Sequence, residues 1–209
     1  MGNLSLKPPP PPHHTKLPVT SHHREAAIGG RSASRRGALW DGGGLGGAMG
    51  WEVRAWKRAD APELLRMLRE WAELEGGPRP SCEEALLSAL NGAEPPPVVL
   101  VAERCGPPLG GFAVASWGFS TWRGCDLRLG ELWVPPPLRD QGLQELLLRG
   151  VAQVAVAAGC AQLRVEVSGG PSWDLPSMGA TDMGATEGWV GVTFEGAALR
   201  ELARPPPTP

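Results

Sequence analysis

The chain has 209 residues, with 20 basic and 22 acidic side chains and a formal net charge of −2. The first 48 residues carry six basic and two acidic side chains, so the rest of the chain carries 14 basic and 20 acidic ones, a net charge of −6. An acidic domain argues against a nucleic-acid partner. Since no apolar run reaches 18 residues, the sequence also predicts no membrane span.

Cysteine, histidine and tyrosine usage limits the chemistry that the chain can perform. None of the four cysteines has metal-ligand spacing from another, so we expect reduced thiols, no bound metal and a cytoplasmic location. All four histidines lie between residues 13 and 23, and the chain has no tyrosine. The main domain therefore lacks the commonest general base.

Composition divides the chain into three parts. Residues 1–48 contain a proline run, a Ser/Arg patch and a glycine run. This composition predicts a disordered tail, because such segments cannot form a packed core. Residues 49–204 are expected to form one domain, and residues 205–209 a proline-rich end.

The first half of the domain is predicted to contain a strand and two helices. An alternating run over residues 51–56 is typical of a strand. A helix over residues 61–75 follows the capping-box pair Asp60 and Glu63. Ser81 and Glu84 repeat the capping pattern for a second helix, which is expected to end near residues 91–92.

The second half of the domain alternates strands, turns and one strong helix. Strands over 98–103 and 110–119 are predicted to form a hairpin through the turn at 106–108. The elements predicted after it are a strand over 127–134, a loop over 138–142, a helix from Leu143 to Gly159, a strand over 162–167, a weak helical segment over 168–178, a strand over 188–194 and a helical turn over 197–203. This order predicts an α+β fold of three layers, in which a mixed, mostly antiparallel and twisted sheet has helices on both faces.

The strand–loop–helix at residues 127–148 has the form of an anion-binding element. The first N–H groups of a helix have no partner within the helix, so a loop that leads into a helix start can hold an anion. Arg139 supplies a cation in this loop, and Gly142 supplies backbone without a side chain.

Several stretches, taken together in their order and spacing, resemble the GNAT superfamily of acetyl-CoA-dependent N-acetyltransferases. Within that superfamily they are similar to the diamine (spermidine/spermine) and thialysine acetyltransferases. The stretches are LLRMLREWAELE (64–75), STWRG (120–124), LGELWV (129–134), GCAQLRVEV (159–167), and MGATDMGATEGW (178–189) followed by FEG (194–196). The resemblance covers residues 51–204, essentially the whole domain.

The resemblance implies acetyl-CoA as co-substrate and a binding site for it beside the helix start. The family's phosphate loop, R/Q-x-x-G-x-G/A, matches Arg139 and Gly142, whereas Gln144 replaces the last small residue and Asp140 adds a negative charge. We therefore expect weakened acetyl-CoA binding. By resemblance, the cofactor-binding residues are Leu132, Trp133, Val134, Arg139, Asp140, Gln141, Gly142, Leu143, Gln144 and Glu145.

The resemblance also implies direct attack of a neutral amine on the thioester, with a base that takes the amine's proton and a tyrosine that protonates the thiolate. Pro176 stands where the family has that tyrosine, and Gly130 replaces the first acid of an E-D pair. Glu131, the second acid, is the candidate catalytic residue. Candidate substrate-binding residues are Leu74, Glu75 and Glu131.

Glu131 and Glu75 each have a possible structural role beside the functional one. Glu131 is alternatively a half-buried strand acid bonded to its neighbours, and Glu75 the solvated end of an amphipathic helix. Trp122 and Trp133 are expected to pack against the sheet rather than hold an amine by cation–π contact.

Three hypotheses follow for the protein as a whole. The first is an N-acetyltransferase that acts on a small diamine, polyamine or thialysine-like amine, as a homodimer by resemblance. The second is a catalytically impaired paralogue that acts as a binding or dimerisation module. The third is a gene product without a stable protein. Because Pro176 removes the family's acid, activity is predicted to be absent or far below that of the family.

Overall fold

A six-stranded sheet organises the chain in a computed structural model, which describes residues 45–46, 50–76, 82–166 and 174–204. The strands are β1 (Leu45–Gly46), β2 (Glu52–Ala55), β3 (Val98–Glu103), β4 (Gly111–Ser120), β5 (Gly124–Trp133) and β6 (Gln162–Val165). Neighbours in the sheet are neighbours in sequence. All pairs from β1 to β5 are antiparallel, and β5 pairs with β6 in parallel. The helices are α1 (Ala61–Glu75), α2 (Glu83–Gly92), α3 (Leu143–Ala157), α4 (Met183–Glu187) and α5 (Gly196–Leu202).

Helices cover both faces of the sheet and create two cores. Alternate residues of β3 divide between them, because successive side chains of a strand point to opposite faces. Leu100 belongs to the core that holds the buried face of α3, whereas Val99 and Val101 belong to the core that includes Leu64 and Met67 of α1. The predicted α+β fold, with a mixed and mostly antiparallel sheet between helices, is confirmed.

The predicted bounds of α1 are confirmed, but the capping box at its start is wrong. The Asp60 carboxylate makes no capping bond to the helix. It accepts hydrogen bonds from Arg54 Nη1 and Nη2, at 2.7 and 2.9 Å, and from the Lys57 backbone N–H at 2.6 Å. Arg54 on β2 also pairs with Glu103 on β3. A charged partner brought close by the sheet therefore outcompeted the local capping pattern.

The second half of the domain follows the prediction closely up to β6. Helix α3 connects the parallel strands β5 and β6, as a βαβ crossover requires. The hairpin of β3 and β4 also has the predicted order. Ser81, the predicted cap of the second helix, and residues 168–173 of the weak helical segment lie outside the described residues. The described part of that weak segment forms a single 3-10 turn at Pro176–Met178.

Beyond Leu129, β5 has no described partner strand on its β6 side, and Gly130–Trp133 form its open end. The pairing runs from Asp126 to Leu129, and the last hydrogen bond joins the Glu166 N–H to the Leu129 carbonyl at 3.2 Å. A bulge lies directly beyond, because the β4 neighbours Ala115 and Val114 pair with Leu129 and Glu131 and skip Gly130. Among the described residues, no strand pairs with the β6 side of Gly130–Trp133.

The predicted strand at 188–194 is wrong. These residues are exposed and pair with no other described strand. Their alternating apolar side chains, Trp189, Val190, Val192 and Phe194, are between 54% and 79% exposed. Alternation reports a side-chain period only, whereas a strand also needs a neighbour for its backbone hydrogen bonds. The helical turn predicted after it is confirmed as α5.

No helix within the described ranges combines the length and the apolar character that crossing a membrane requires.

Candidate functional site

The open end of β5 presents different chemistry to the two faces of the sheet. Trp133 belongs to the core beneath α1, and Glu131 lies two residues earlier on the same face. Leu132 packs instead against the core beneath α3. Trp133 stacks on Trp71 of α1, with ring centroids 5.7 Å apart and an interplanar angle of 17°. The strand end is therefore held between α1 and α3.

Glu131 is the acid that the structure leaves at this open end. Its residue surface is exposed, and its carboxylate makes no hydrogen bond or ion pair with another described residue. The surrounding protein nevertheless desolvates the carboxyl group and raises its pKa above the usual range. No described partner supports the structural alternative of an acid bonded to its neighbours, and a raised pKa makes a carboxylate a stronger proton acceptor.

The predicted anion loop is more ordered than a plain loop. Residues Pro136–Gln141 form a short 3-10 helix, and Gly142 then starts α3 with a φ of +73°, a conformation that favours glycine. No side chain caps α3 at Gly142. The N–H groups of the first turn are therefore oriented along the helix axis, where an anion can accept from them.

Arg139 is held at the end of β5. Its Nε donates to the Val134 carbonyl at 3.2 Å, and its guanidinium carbon lies 5.1 Å from the centre of the Trp133 ring. Val134 itself is buried, as is Leu143 at the start of α3. The structure thus brings the loop's cation and the open strand end together.

Gln141 is also fixed by a side chain that sequence reasoning did not single out. The Trp51 indole N–H donates to Gln141 Oε1 at 2.9 Å, across a separation of 90 residues. Trp51 is 4% exposed and lies in the core beneath α3. Only the strand pattern marked Trp51 in the sequence, because nothing local connects it with the loop.

The two residues that depart from the family loop occupy the helix start. Asp140 is exposed and Gln144 is half-buried. Glu145 is exposed and pairs with Arg149 one turn later, with an O–N distance of 2.6 Å. The backbone therefore fits an anion, while Asp140 adds negative charge and Gln144 adds bulk near the same place.

The candidate substrate residues of α1 lie at its C-terminal end. Leu74 is 58% exposed, and Glu75 is exposed one turn beyond Trp71, on the same side of the helix. The Trp71–Trp133 stack places this helix end on the same face of the sheet as Glu131. Of the two tryptophans expected to pack, Trp133 is buried as predicted, but Trp122 is 91% exposed at the β4–β5 turn, so that prediction is wrong.

Pro176 begins a single 3-10 turn where the family has its tyrosine. Leu175 anchors the turn in the core beneath α3. The Ser177 hydroxyl donates to the Asp174 carbonyl at 2.9 Å, and the Ser177 N–H donates to the Asp174 carboxylate at 3.2 Å. Proline has no ionisable proton, and the neighbouring hydroxyl is already engaged as a donor.

Comparisons with known proteins point to one family, although no protein-family model matches the chain. The chain is 36% identical to the thialysine N-epsilon-acetyltransferase of Bos taurus and 37% identical to that of Sus scrofa. Each alignment spans 166 residues, which is 72% of this chain and 96% of the relative.

Solved structures share the fold. An integron cassette protein from the mobile metagenome of V. cholerae has a TM-score of 0.59 and 20% identity, over 76% of this chain and all of that chain. The ribosomal-protein-alanine N-acetyltransferase of Brucella melitensis biovar Abortus 2308 has a TM-score of 0.56 and 18% identity, over 70% of this chain and 99% of that chain. The chain therefore belongs to the GNAT superfamily of N-acetyltransferases, in the family of the thialysine N-epsilon-acetyltransferases.

Proposed function

We propose that the protein transfers the acetyl group of acetyl-CoA to a primary amine of a small diamine, polyamine or thialysine-like substrate, and that it does so slowly. The observation that carries the proposal is Glu131, a carboxylate with a raised pKa at the open end of β5. Identity of 36–37% to thialysine N-epsilon-acetyltransferases supports the substrate class.

The proposed acetyl-CoA site is the start of α3 and the adjoining end of β5. The uncapped N–H groups after Gly142 and the guanidinium of Arg139 suit the pyrophosphate. The edge of Leu132–Trp133, where no described strand pairs on the β6 side, suits the pantetheine arm. Asp140 weakens binding, because like charges about 4 Å apart repel by roughly 1 to 4 kcal/mol, depending on exposure.

In the proposed reaction the neutral amine nitrogen attacks the thioester carbonyl carbon. An N–C bond forms, the C–S bond breaks, and the sulfur leaves as a thiolate. Glu131 accepts the amine's proton through a water, a role that its raised pKa favours. The thiolate takes its proton from solvent, because Pro176 replaces the family's acid.

The proposed amine site is the surface between the end of α1 and Glu131. Glu75 and Glu131 supply negative charge for a cationic substrate, and the exposed Leu74 supplies apolar contact for its methylene chain. Trp133 is buried and stacked on Trp71, so the two rings support this surface and do not form an open cation–π cage.

A binding or dimerisation module is the second candidate, and Pro176 is the observation that favours it. Loss of a general acid costs about 10²–10⁴-fold in rate, and weak cofactor binding adds to that loss. Homodimerisation in the cytoplasm is part of both proposals. The exposed apolar side chains of residues 189–194 support it, because exposed apolar patches are typical of protein interfaces. The molar mass of the full chain by light scattering tests it.

The experiment measures thermal unfolding of the full chain with and without acetyl-CoA, followed by acetylation of a panel of amines. An upward shift of several degrees and slow acetylation of a diamine support the enzyme. No shift at saturating acetyl-CoA contradicts it and favours the binding module. The variant Gln144→Gly with Pro176→Tyr is expected to raise the acetylation rate. An unchanged rate means that these two positions are not the defects.

A further inference from the structure

One side-chain hydrogen bond connects the proposed acetyl-CoA loop to the residue just before β2. Gln141 immediately precedes Gly142, the residue that turns the chain into α3. Its Oε1 accepts from the Trp51 indole N–H at 2.9 Å. We infer that Trp51 is a positioning residue, which fixes the loop through Gln141 so that the N–H groups at the start of α3 are pre-oriented for the pyrophosphate. The inference rests on the proposed function.

The Trp51 ring is held tightly enough to act as an anchor. It is 4% exposed and packs in the core beneath α3. A Cβ placed on Gly110 would overlap the ring, so the backbone lies directly against it. On the ring, the Arg104 guanidinium carbon lies 4.9 Å from the centroid. A donor on a ring that cannot move defines the position of its acceptor.

Gln141 is the residue in the loop where such an anchor has most effect. Glycine has more backbone freedom than any other residue, so Gly142 alone does not fix the direction in which α3 starts. On the other side of the loop, Arg139 is attached to Trp133 and to the Val134 carbonyl. The loop is thus attached to β5 through Arg139 and to the chain just before β2 through Gln141, and the second attachment depends on a single hydrogen bond.

A purely structural role for Trp51 predicts a different result from a positioning role. If Trp51 only fills the core, loss of its N–H changes global stability and leaves the loop unchanged relative to the rest of the fold. If it positions the loop, loss of the N–H loosens residues 141–144 specifically. Trp51→Phe removes the donor and keeps an aromatic ring. Trp117→Phe is a matched control, because the Trp117 indole also donates to a distant carbonyl, that of Pro96, at 3.0 Å.

The control lies well away from the loop. Trp117 pairs with Leu127, whereas Phe112 pairs with Trp133 at the loop end of β4. Five residues of strand separate Trp117 from Phe112, which corresponds to about 17 Å. The control therefore loses an indole hydrogen bond of similar length, in a more exposed setting, without touching the loop.

The test combines hydrogen exchange of the free full chain with calorimetric titration of acetyl-CoA. In Trp51→Phe, we expect exchange of the Leu146 amide, which donates to the Gly142 carbonyl at 3.1 Å, to accelerate about three- to tenfold, and the Kd for acetyl-CoA to rise by a similar factor. Trp117→Phe is expected to leave both unchanged. Gln141→Met removes the acceptor and is expected to reproduce the effect, and the double variant with Trp51→Phe is expected to be no worse than either single one.

The outcomes separate this inference from the proposed function. Unchanged loop exchange in both Trp51→Phe and Gln141→Met, or strictly additive effects in the double variant, overturns the positioning role even when the wild type binds acetyl-CoA. If the wild type shows no binding but both variants accelerate loop exchange, the proposed function fails and the positioning of the loop stands. If Trp51→Phe does not fold, Gln141→Met decides the question alone.

Discussion

Gly142→Ala separates the proposed anion site from the stability of the helix that carries it. Gly142 has a φ of +73°, and a Cβ added there would find no atom within 4 Å. The substitution therefore causes backbone strain and no clash inside the protein. The left-handed conformation costs an alanine about 1–2 kcal/mol, and lower entropy of the unfolded chain offsets about 0.4–1 kcal/mol of that cost. We expect a net loss of roughly 1 kcal/mol.

Gly159, at the other end of α3, provides a matched control. Its φ is +72°, and the space for a Cβ is equally open. Gly159→Ala should therefore cost about the same stability, and a loss of about 1 kcal/mol lowers the Tm of a domain of this size by roughly 2–4 °C. The two variants differ only in what the new methyl group faces on the outside of the protein. At Gly142 it occupies the approach to the first N–H groups of the helix.

Acetyl-CoA binding distinguishes the two variants. Losing one hydrogen bond to a charged phosphate costs about 1.5–3 kcal/mol, so Gly142→Ala should raise the Kd at least about tenfold while Gly159→Ala leaves it within twofold. The Tm of each variant without acetyl-CoA shows whether the two substitutions cost the same stability. Equal Kd values in two variants of equal Tm would refute the assignment of the helix start as the phosphate site.

Three further predictions concern charged groups. Glu131→Gln should lower kcat/KM about 10²–10⁴-fold and remove the inflection that the Glu131 carboxyl adds to the pH–rate profile below the inflection of the substrate amine. Desolvation raises the pKa of Glu131, so this inflection lies above the usual range for glutamate; a profile of unchanged shape excludes Glu131 as the base. Arg139→Gln should weaken acetyl-CoA binding about tenfold and flatten its salt dependence, measured by titration at two ionic strengths; an unchanged salt dependence contradicts the ion pair. Burial raises the pKa of the Asp60 carboxyl, but hydrogen bonds from Arg54 and Lys57 outweigh burial and leave that pKa below its usual value, so Asp60→Asn should cost about 2 kcal/mol of unfolding free energy at pH 7. That difference should persist above about pH 4 and shrink as the pH falls through the folded-state pKa; a difference that does not depend on pH between 2 and 7 would show that the carboxylate charge is not responsible.

Local patterns were sufficient to predict the elements that have strong side-chain periodicity. Helix α1 begins and ends at the predicted residues, and α3 buries most of the predicted apolar stripe. The hairpin of β3 and β4 followed from a buried-strand run and a Gly-Pro-Pro turn. In each case the determinant lies within a few residues of sequence, so it is visible without the rest of the fold.

Predictions failed where a side chain found a stronger partner elsewhere in the fold, or where a segment needed a neighbouring strand that the sequence alone does not show. Asp60 fits a capping box, but folding brings Arg54 to its carboxylate, and a charged donor binds more strongly than a backbone N–H. The run at 188–194 alternates like a strand, but no described strand lies beside it.

The two features that shape the candidate site were likewise invisible to local reasoning. The bulge at Gly130 depends on the register between two strands. The bond between Trp51 and Gln141 spans 90 residues. No short-range pattern in the sequence encodes either one. The geometry of the candidate site therefore could not be predicted from the sequence.

In the proposed reaction, the replacement at Pro176 affects the easier of the two proton transfers. An alkylamine with a pKa near 10.4 is more than 99.9% protonated at neutral pH, whereas a thiol has a pKa near 8.5. Delivering a neutral amine at pH 7 therefore costs about 4.6 kcal/mol, and releasing an unprotonated thiolate costs only about 2 kcal/mol at 1.36 kcal/mol per pH unit. The proposed reaction uses Glu131 on the amine side and has no protein acid on the thiolate side, where Pro176 stands. The proposed activity should accordingly rise steeply with pH up to about 8.5, where the thiolate becomes stable in solvent, and less steeply from there to about 10.4, where the amine becomes neutral.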